Sequence, residues 1–137
     1  MTADALGHGN ETILLVEDDE SVRFVLRQSL AKKGYAVLEA VNGAKALEAI
    51  ESCEGSEEID LVVTDVVMPE MGGFELAARL AQSHGGIKVL LMSGYTQTDG
   101  GIGGNRILAD GTHFLRKPFS TEVLARKVRE MLDEVES

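Results

Sequence analysis

Thr12-Ile13-Leu14-Leu15-Val16 is an unbroken apolar run, and Glu17-Asp18-Asp19-Glu20 follows it with four consecutive carboxylates. A threonine and four apolar residues in a row have the length of a strand and suit one covered on both faces, as the central strands of a parallel sheet are. The sudden change to acids marks its carboxyl end. Outward from this stretch the same kind of unit recurs. Ala36-Val37-Leu38-Glu39-Ala40, Leu61-Val62-Val63-Thr64, Lys88-Val89-Leu90-Leu91-Met92 and His113-Phe114-Leu115-Arg116 read as further strands, separated by longer amphipathic stretches. The first, third and fourth runs are the apolar ones, which predicts that they lie inside the sheet.

The intervening stretches carry helix signals. Val22, Val25, Leu26 and Leu30 share a first helix that stops near Gly34, and Asn42 precedes a second that carries Ala46, Leu47 and Ile50. A third follows Gly72-Gly73 with Leu76, Ala77 and Leu80. Ser120 caps a last helix bearing Leu124, Val128, Met131 and Val135, with Phe119 and Leu124 at staple positions across the cap. The fourth helix is the weak member. Gly100-Gly101-Ile102-Gly103-Gly104 falls where it should begin, and interior glycines cost about 0.5–1 kcal/mol each relative to alanine, so a short or frayed element is expected. Five strand and helix pairs in alternation predict a doubly wound five-stranded parallel sheet of (βα)5 order, with right-handed crossovers and function at the carboxyl ends of the strands.

A chain of 137 residues, 44% apolar and 26% charged, suits one globular domain. Residues 1–11 read as a flexible tail, 12–134 as the domain and 135–137 as a second tail. Thirteen basic against twenty-three acidic side chains leave a net charge of −10, a field that repels nucleic acid and anionic membrane surfaces. The single Cys53 makes no internal disulfide, and no apolar run approaches the roughly 20 residues of a membrane span. A cytoplasmic address is expected.

Asp65 follows the third strand run, so it and the acids after the first would converge at neighbouring strand ends. Carboxylates in one crevice repel each other. Either their pKa values rise or a hard cation joins them, and oxygen donors of this kind suit Mg²⁺. The plainer alternative is that acids at 17–20 favour the N-terminus of the following helix. Ser93-Gly94 ends the fourth strand and Lys117-Pro118 the fifth, which adds a hydroxyl and a cation. Carboxylate acceptor, metal, hydroxyl and cation together are what phosphoryl transfer needs, since its transition state spreads negative charge over the phosphoryl oxygens.

With these residues in place the chain resembles the receiver domains of two-component response regulators, over about Thr12 to Asp133. The motifs are Leu-Val-Glu-Asp-Asp at 15–19, Thr-Asp-Val-Val-Met-Pro at 64–69, Met-Ser-Gly-Tyr at 92–95 and Phe-Leu-Arg-Lys-Pro-Phe at 114–119. Their wording looks most like receivers at the C-terminus of hybrid sensor histidine kinases. The resemblance implies a flavodoxin-like receiver architecture in which Asp65 accepts the phosphoryl group. It implies Mg²⁺ ligation by Asp18, Asp65 and the Val67 carbonyl, with Glu17 acting through water and Asp19 a lesser candidate. Ser93 takes the hydroxyl role and Lys117 the cation role, with Ser93 and Phe114 as switch residues. A sensor histidine kinase or histidine phosphotransfer protein is the implied donor to a monomeric domain that makes no direct contact with nucleic acid or membrane and signals through protein contacts.

Two departures stand out. Phe114 occupies a position often held by tyrosine, so any switch there works by packing alone, and the glycine run replaces a well-formed fourth helix on a face that many relatives use for output. Two other classes fit less well. A phosphohydrolase with an aspartyl nucleophile wants an acid two residues beyond it, where Val67 stands, and a flavin binder wants a phosphate cradle where the four acids stand. Val67 and Tyr95 lack groups suited to orienting water, so a long-lived phosphoryl group is expected. His8, His84 and His113 share no metal-ligand spacing, and Cys53 has no activating cation assigned to it.

Overall fold

The computed structural model describes residues 11–52, 59–68, 70–83, 86–93, 112–117 and 119–133. All five runs form strands: β1 (Thr12–Val16), β2 (Ala36–Ala40), β3 (Leu61–Asp65), β4 (Lys88–Ser93) and β5 (Thr112–Arg116). β3 and β4 each extend one residue past their apolar runs, which brings Asp65 and Ser93 into the sheet itself. The helices among the described residues are α1 (Glu20–Lys32), α2 (Gly43–Ser52), α3 (Gly73–Ser83) and α4 (Thr121–Leu132).

Every strand pair is parallel, and the order is β2-β1-β3-β4-β5. The three apolar strands are therefore the interior ones, and successive residues of each alternate between two cores. On one face Leu14, Val16, Val62, Val89 and Leu91 pack with Ala46 and Ile50 of α2 and with Leu76 and Leu80 of α3. On the other, Ile13, Leu15, Leu61, Val63, Leu90 and Met92 pack with Leu26 and Leu30 of α1 and with Leu124, Val128 and Met131 of α4. Helices thus cover both faces, as the alternation predicts. β2 lies at an edge and leaves Ala36 and Glu39 exposed.

The caps anchor the helices where the sequence places them. Asp19 Oδ1 accepts from Val22 N at 3.1 Å, Asn42 Oδ1 from Lys45 N at 2.9 Å, and Ser120 Oγ from Val123 N at 3.1 Å. Gly34, at φ 98°, turns the chain away from the end of α1 in a conformation that suits glycine. One expectation on α1 needs correction. Leu26 and Leu30 form its buried stripe, but Val22 and Val25 are 38% and 53% exposed. Val25 is rotated about 100° from Leu26 around the helix, and Val22 lies in the first turn beside the strand ends.

The expectations on Gly100–Gly104, Gly94, Tyr95, Pro118, Cys53, His8, His84, Val135 and both tails lie outside the described residues. Among the described residues no helix is long and apolar enough to cross a membrane.

Candidate functional site

The ladder of the sheet continues past the strand ends and fixes what stands on its carboxyl edge. Glu17 N donates to Ala40 O at 3.1 Å, Val66 N to Met92 O at 3.0 Å, and Lys117 N to Ser93 O at 2.8 Å. Glu17, Asp65, Ser93 and Lys117 therefore sit on rigid backbone at the ends of four adjacent strands. Three of these are buried polar residues at the margin of an apolar sheet: Glu17 is 2% exposed, Asp65 8% and Ser93 1%.

Side chains converge as the reading of the strand ends predicts. Lys117 Nζ donates to Asp65 Oδ1 at 2.9 Å. Glu17, Asp18 and Asp65 each present a carboxylate oxygen within 4.8 Å of the others. Glu17 Oε2 accepts from Asp19 N at 3.0 Å, while Glu17 Oε1 is buried with no hydrogen-bond partner among the described residues. Burial pushes the Glu17 carboxyl up to about 7, the Asp65 and Asp18 charges push the same way, and the Asp19 N–H and the Lys117 ammonium oppose them.

The donor set fits a hard dication. Three carboxylates, when ionised, face one ammonium, which leaves two negative charges uncompensated, and the orphaned Glu17 oxygen points to a missing partner. Ser93 Oγ is a second buried polar atom with no partner among the described residues, at the end of the strand beside Asp65. Asp19 spends an oxygen on the α1 cap, and the Val67 side chain, two residues past Asp65, is 57% exposed.

The loop after Asp65 is held from both sides. Gly73 N donates to Val66 O at 2.8 Å and Gly43 N, at the start of α2, donates to Met71 O at 3.0 Å. A Cβ on Gly73 would fall against the Asp65 carbonyl oxygen, and one on Gly72 would stand 2.6 Å from Val66 O. The turn passes through Glu70 at φ 71°, a left-handed conformation uncommon for a residue with a Cβ. Phe114 is partly buried against the α2 and α3 core, and its ring meets that of Phe74 edge-on, with centroids 5.6 Å apart and planes at 71°. Residue patterns did not single out Phe74. The available signal was an aromatic directly after the Gly72-Gly73 pair, in the first turn of the helix that follows the loop after Asp65.

Residues 13–129 match the family described as the response regulator receiver domain. The chain is 44% identical over 126 residues to the sensor kinase CckA of Brucella abortus, covering 91% of this chain and 13% of that protein. It is 34% identical to the response regulator receiver protein CpdR of the same organism, covering 88% of this chain and 95% of that one. The crystal structure of the receiver domain from the hybrid histidine kinase CckA superposes with a TM-score of 0.71 at 34% identity, covering 89% of this chain and 99% of that domain.

Proposed function

This chain belongs to the response regulator receiver domain family of two-component signalling, and from that premise we propose that Asp65 is its phosphoryl acceptor. The observation that carries the reading is the placement of the Asp65 carboxylate between the Lys117 ammonium, 2.9 Å away, and the carboxylates of Glu17 and Asp18. A phosphohistidine donor, on a sensor histidine kinase or a histidine phosphotransfer protein, presents its phosphorus in line with an Asp65 oxygen. The new P–O bond forms as the P–N bond breaks, and the electron pair of that bond returns to the imidazole, which takes up a proton. Lys117 follows the charge from the carboxylate to the phosphoryl oxygens, and the Ser93 hydroxyl donates to one of them.

Asp18 and Asp65 with the Val67 carbonyl would hold Mg²⁺, with Glu17 acting through water. Bound there, Mg²⁺ neutralises charge that builds on the phosphoryl oxygens. The phosphorylated product is a conformational signal rather than a turnover product: as Lys117 moves from the Asp65 carboxylate to the phosphoryl oxygens it draws the end of β5 with it, and Phe114 responds by repacking. The 44% identity to a sensor kinase of which this chain spans 13% supports attachment to a larger histidine kinase. The domain is read as cytoplasmic and monomeric, and its net charge of −10 supports its touching neither nucleic acid nor an anionic membrane.

The test is intact-mass measurement after incubation with acetyl phosphate and Mg²⁺. The native chain gains one phosphoryl group, Asp65→Asn gains none, and chelation of the metal abolishes the gain. A gain retained by Asp65→Asn would overturn the assignment.

A further inference from the structure

The acidic loop between β1 and α1 must hold Glu17 and Asp18 beside Asp65 against their mutual repulsion, so something has to fix its backbone. Two restraints are internal to the loop and the neighbouring strand: Glu17 N on Ala40 O, and Asp19 N on Glu17 Oε2. At the helix end Val22 N bonds Asp19 Oδ1 and Arg23 N bonds Asp19 O, and a further restraint comes from a side chain. Arg23, one turn into α1, donates from Nη1 to the carbonyl oxygen of Glu17 at 2.7 Å. The same guanidinium donates from Nε to Glu39 Oε1 on β2 at 2.9 Å, and the other oxygen of Glu39 meets Arg27 Nε at 3.0 Å. The Arg23 side chain is 16% exposed, more covered than Glu39 at 37% or Arg27 at 35%.

We infer that Arg23, oriented by Glu39, is a positioning residue for the cation site: it fixes the peptide that carries Glu17 and thereby holds two ligands in place before the ion arrives. The inference rests on the reading of Glu17, Asp18 and Asp65 as a Mg²⁺ site. The chemistry favours arginine for the task. Its planar fork spans two acceptors in different directions, a carbonyl and a carboxylate, which the single ammonium of lysine does not. Glu39 needs both its oxygens to lock the fork, one on Arg23 and one on Arg27, and its place on the paired strand β2 gives it a fixed base. Partners of this outer kind commonly set metal affinity by about 10- to 100-fold.

The sign of the effect separates positioning from plain charge. An arginine near a cation site repels the cation, so as a mere charge it weakens Mg²⁺ binding, and its removal tightens it. As a positioning group its removal loosens binding despite the repulsion relieved. The experiment is calorimetric titration of the full chain with Mg²⁺ alone, well below the melting temperature, for the native protein, Arg23→Gln, Arg23→Lys, Glu39→Gln and the double variant Arg23→Gln/Glu39→Gln. The expected result is a Kd for Arg23→Gln about tenfold weaker than native, with no rescue by Arg23→Lys. Glu39→Gln is weaker than native, and adds nothing on the Arg23→Gln background. If Arg23→Gln fails to fold, Arg23→Lys and Glu39→Gln carry the comparison. A native chain that binds Mg²⁺ while Arg23→Gln binds it equally or more tightly overturns the inference and leaves the site standing. Rescue by Arg23→Lys, or a full Glu39→Gln loss on the Arg23→Gln background, overturns it as well. A native chain with no measurable affinity for Mg²⁺ overturns the site and the inference together.

Discussion

Glu17 gives the stability of the protein a pH dependence of definite sign. Its carboxyl is raised from 4.5 to about 7 in the folded chain, chiefly by burial, so across that window the native state holds a proton that the unfolded state releases. Stability therefore falls as pH rises through the window, by up to about 3 kcal/mol. Denaturant melts in the presence of a chelator should show this decline, and Glu17→Gln should flatten it, because the amide has no proton to lose. A native profile that rises between about pH 5 and pH 7 would contradict the burial argument. Ser93 gives a second test at this scale. Its hydroxyl is buried without a partner among the described residues, so Ser93→Ala removes a desolvated polar atom. Metal-free stability should hold or rise by up to about 1 kcal/mol, while phosphoryl transfer slows. A clear loss of stability in chemical denaturation would mean that the hydroxyl is bonded in the folded protein.

The elements act through close approaches that only particular residues permit. The N-terminus of α3 lies so near β3 that a Cβ on Gly73 would meet the Asp65 carbonyl oxygen and stand 2.8 Å from Leu91 Cδ2. Backbone and a buried strand side chain have little room to retreat. Gly73→Ala should cost about 1–3 kcal/mol and shift Asp65, measured as a lower melting temperature together with slower phosphorylation of the folded fraction. Unchanged values for both would show that the helix end can move. The Phe74–Phe114 contact links α3 to the edge strand β5. A double-mutant cycle with Phe74→Leu and Phe114→Leu should return a coupling of about 0.5–1.5 kcal/mol. That coupling should change once Asp65 carries a phosphoryl mimic, since Lys117 then moves from the carboxylate to the mimic and draws the end of β5 with it. A coupling equal in both states would rule out Phe114 as a packing switch.

For the whole molecule, the sheet was readable because strands buried on both faces must be apolar throughout, so 13–16, 61–63 and 89–92 announced both their existence and their central place. The core of the site was readable for a related reason. Glu17, Asp65, Ser93 and Lys117 interrupt or follow apolar runs at strand ends, and the parallel register brings strand ends together. What stayed hidden depends on partners distant in sequence. Arg23 and Glu39 are ordinary surface residue types until β2 is laid against β1. Long-range ties of this kind also join the start of the fold to its last helix, where Arg129 Nη2 meets Glu11 Oε2 at 2.8 Å and Asp133 Oδ1 at 2.9 Å. On the proposed function Asp65, and no other of the crowded acids at these strand ends, is the phosphoryl acceptor. The most direct test is to phosphorylate the native chain from acetyl phosphate, reduce the acyl phosphate with borohydride and locate the resulting homoserine by tandem mass spectrometry of the digest. Homoserine at position 65 alone is the predicted result. Homoserine at 17, 18 or 19, or none at any position despite phosphoryl incorporation, would contradict the account.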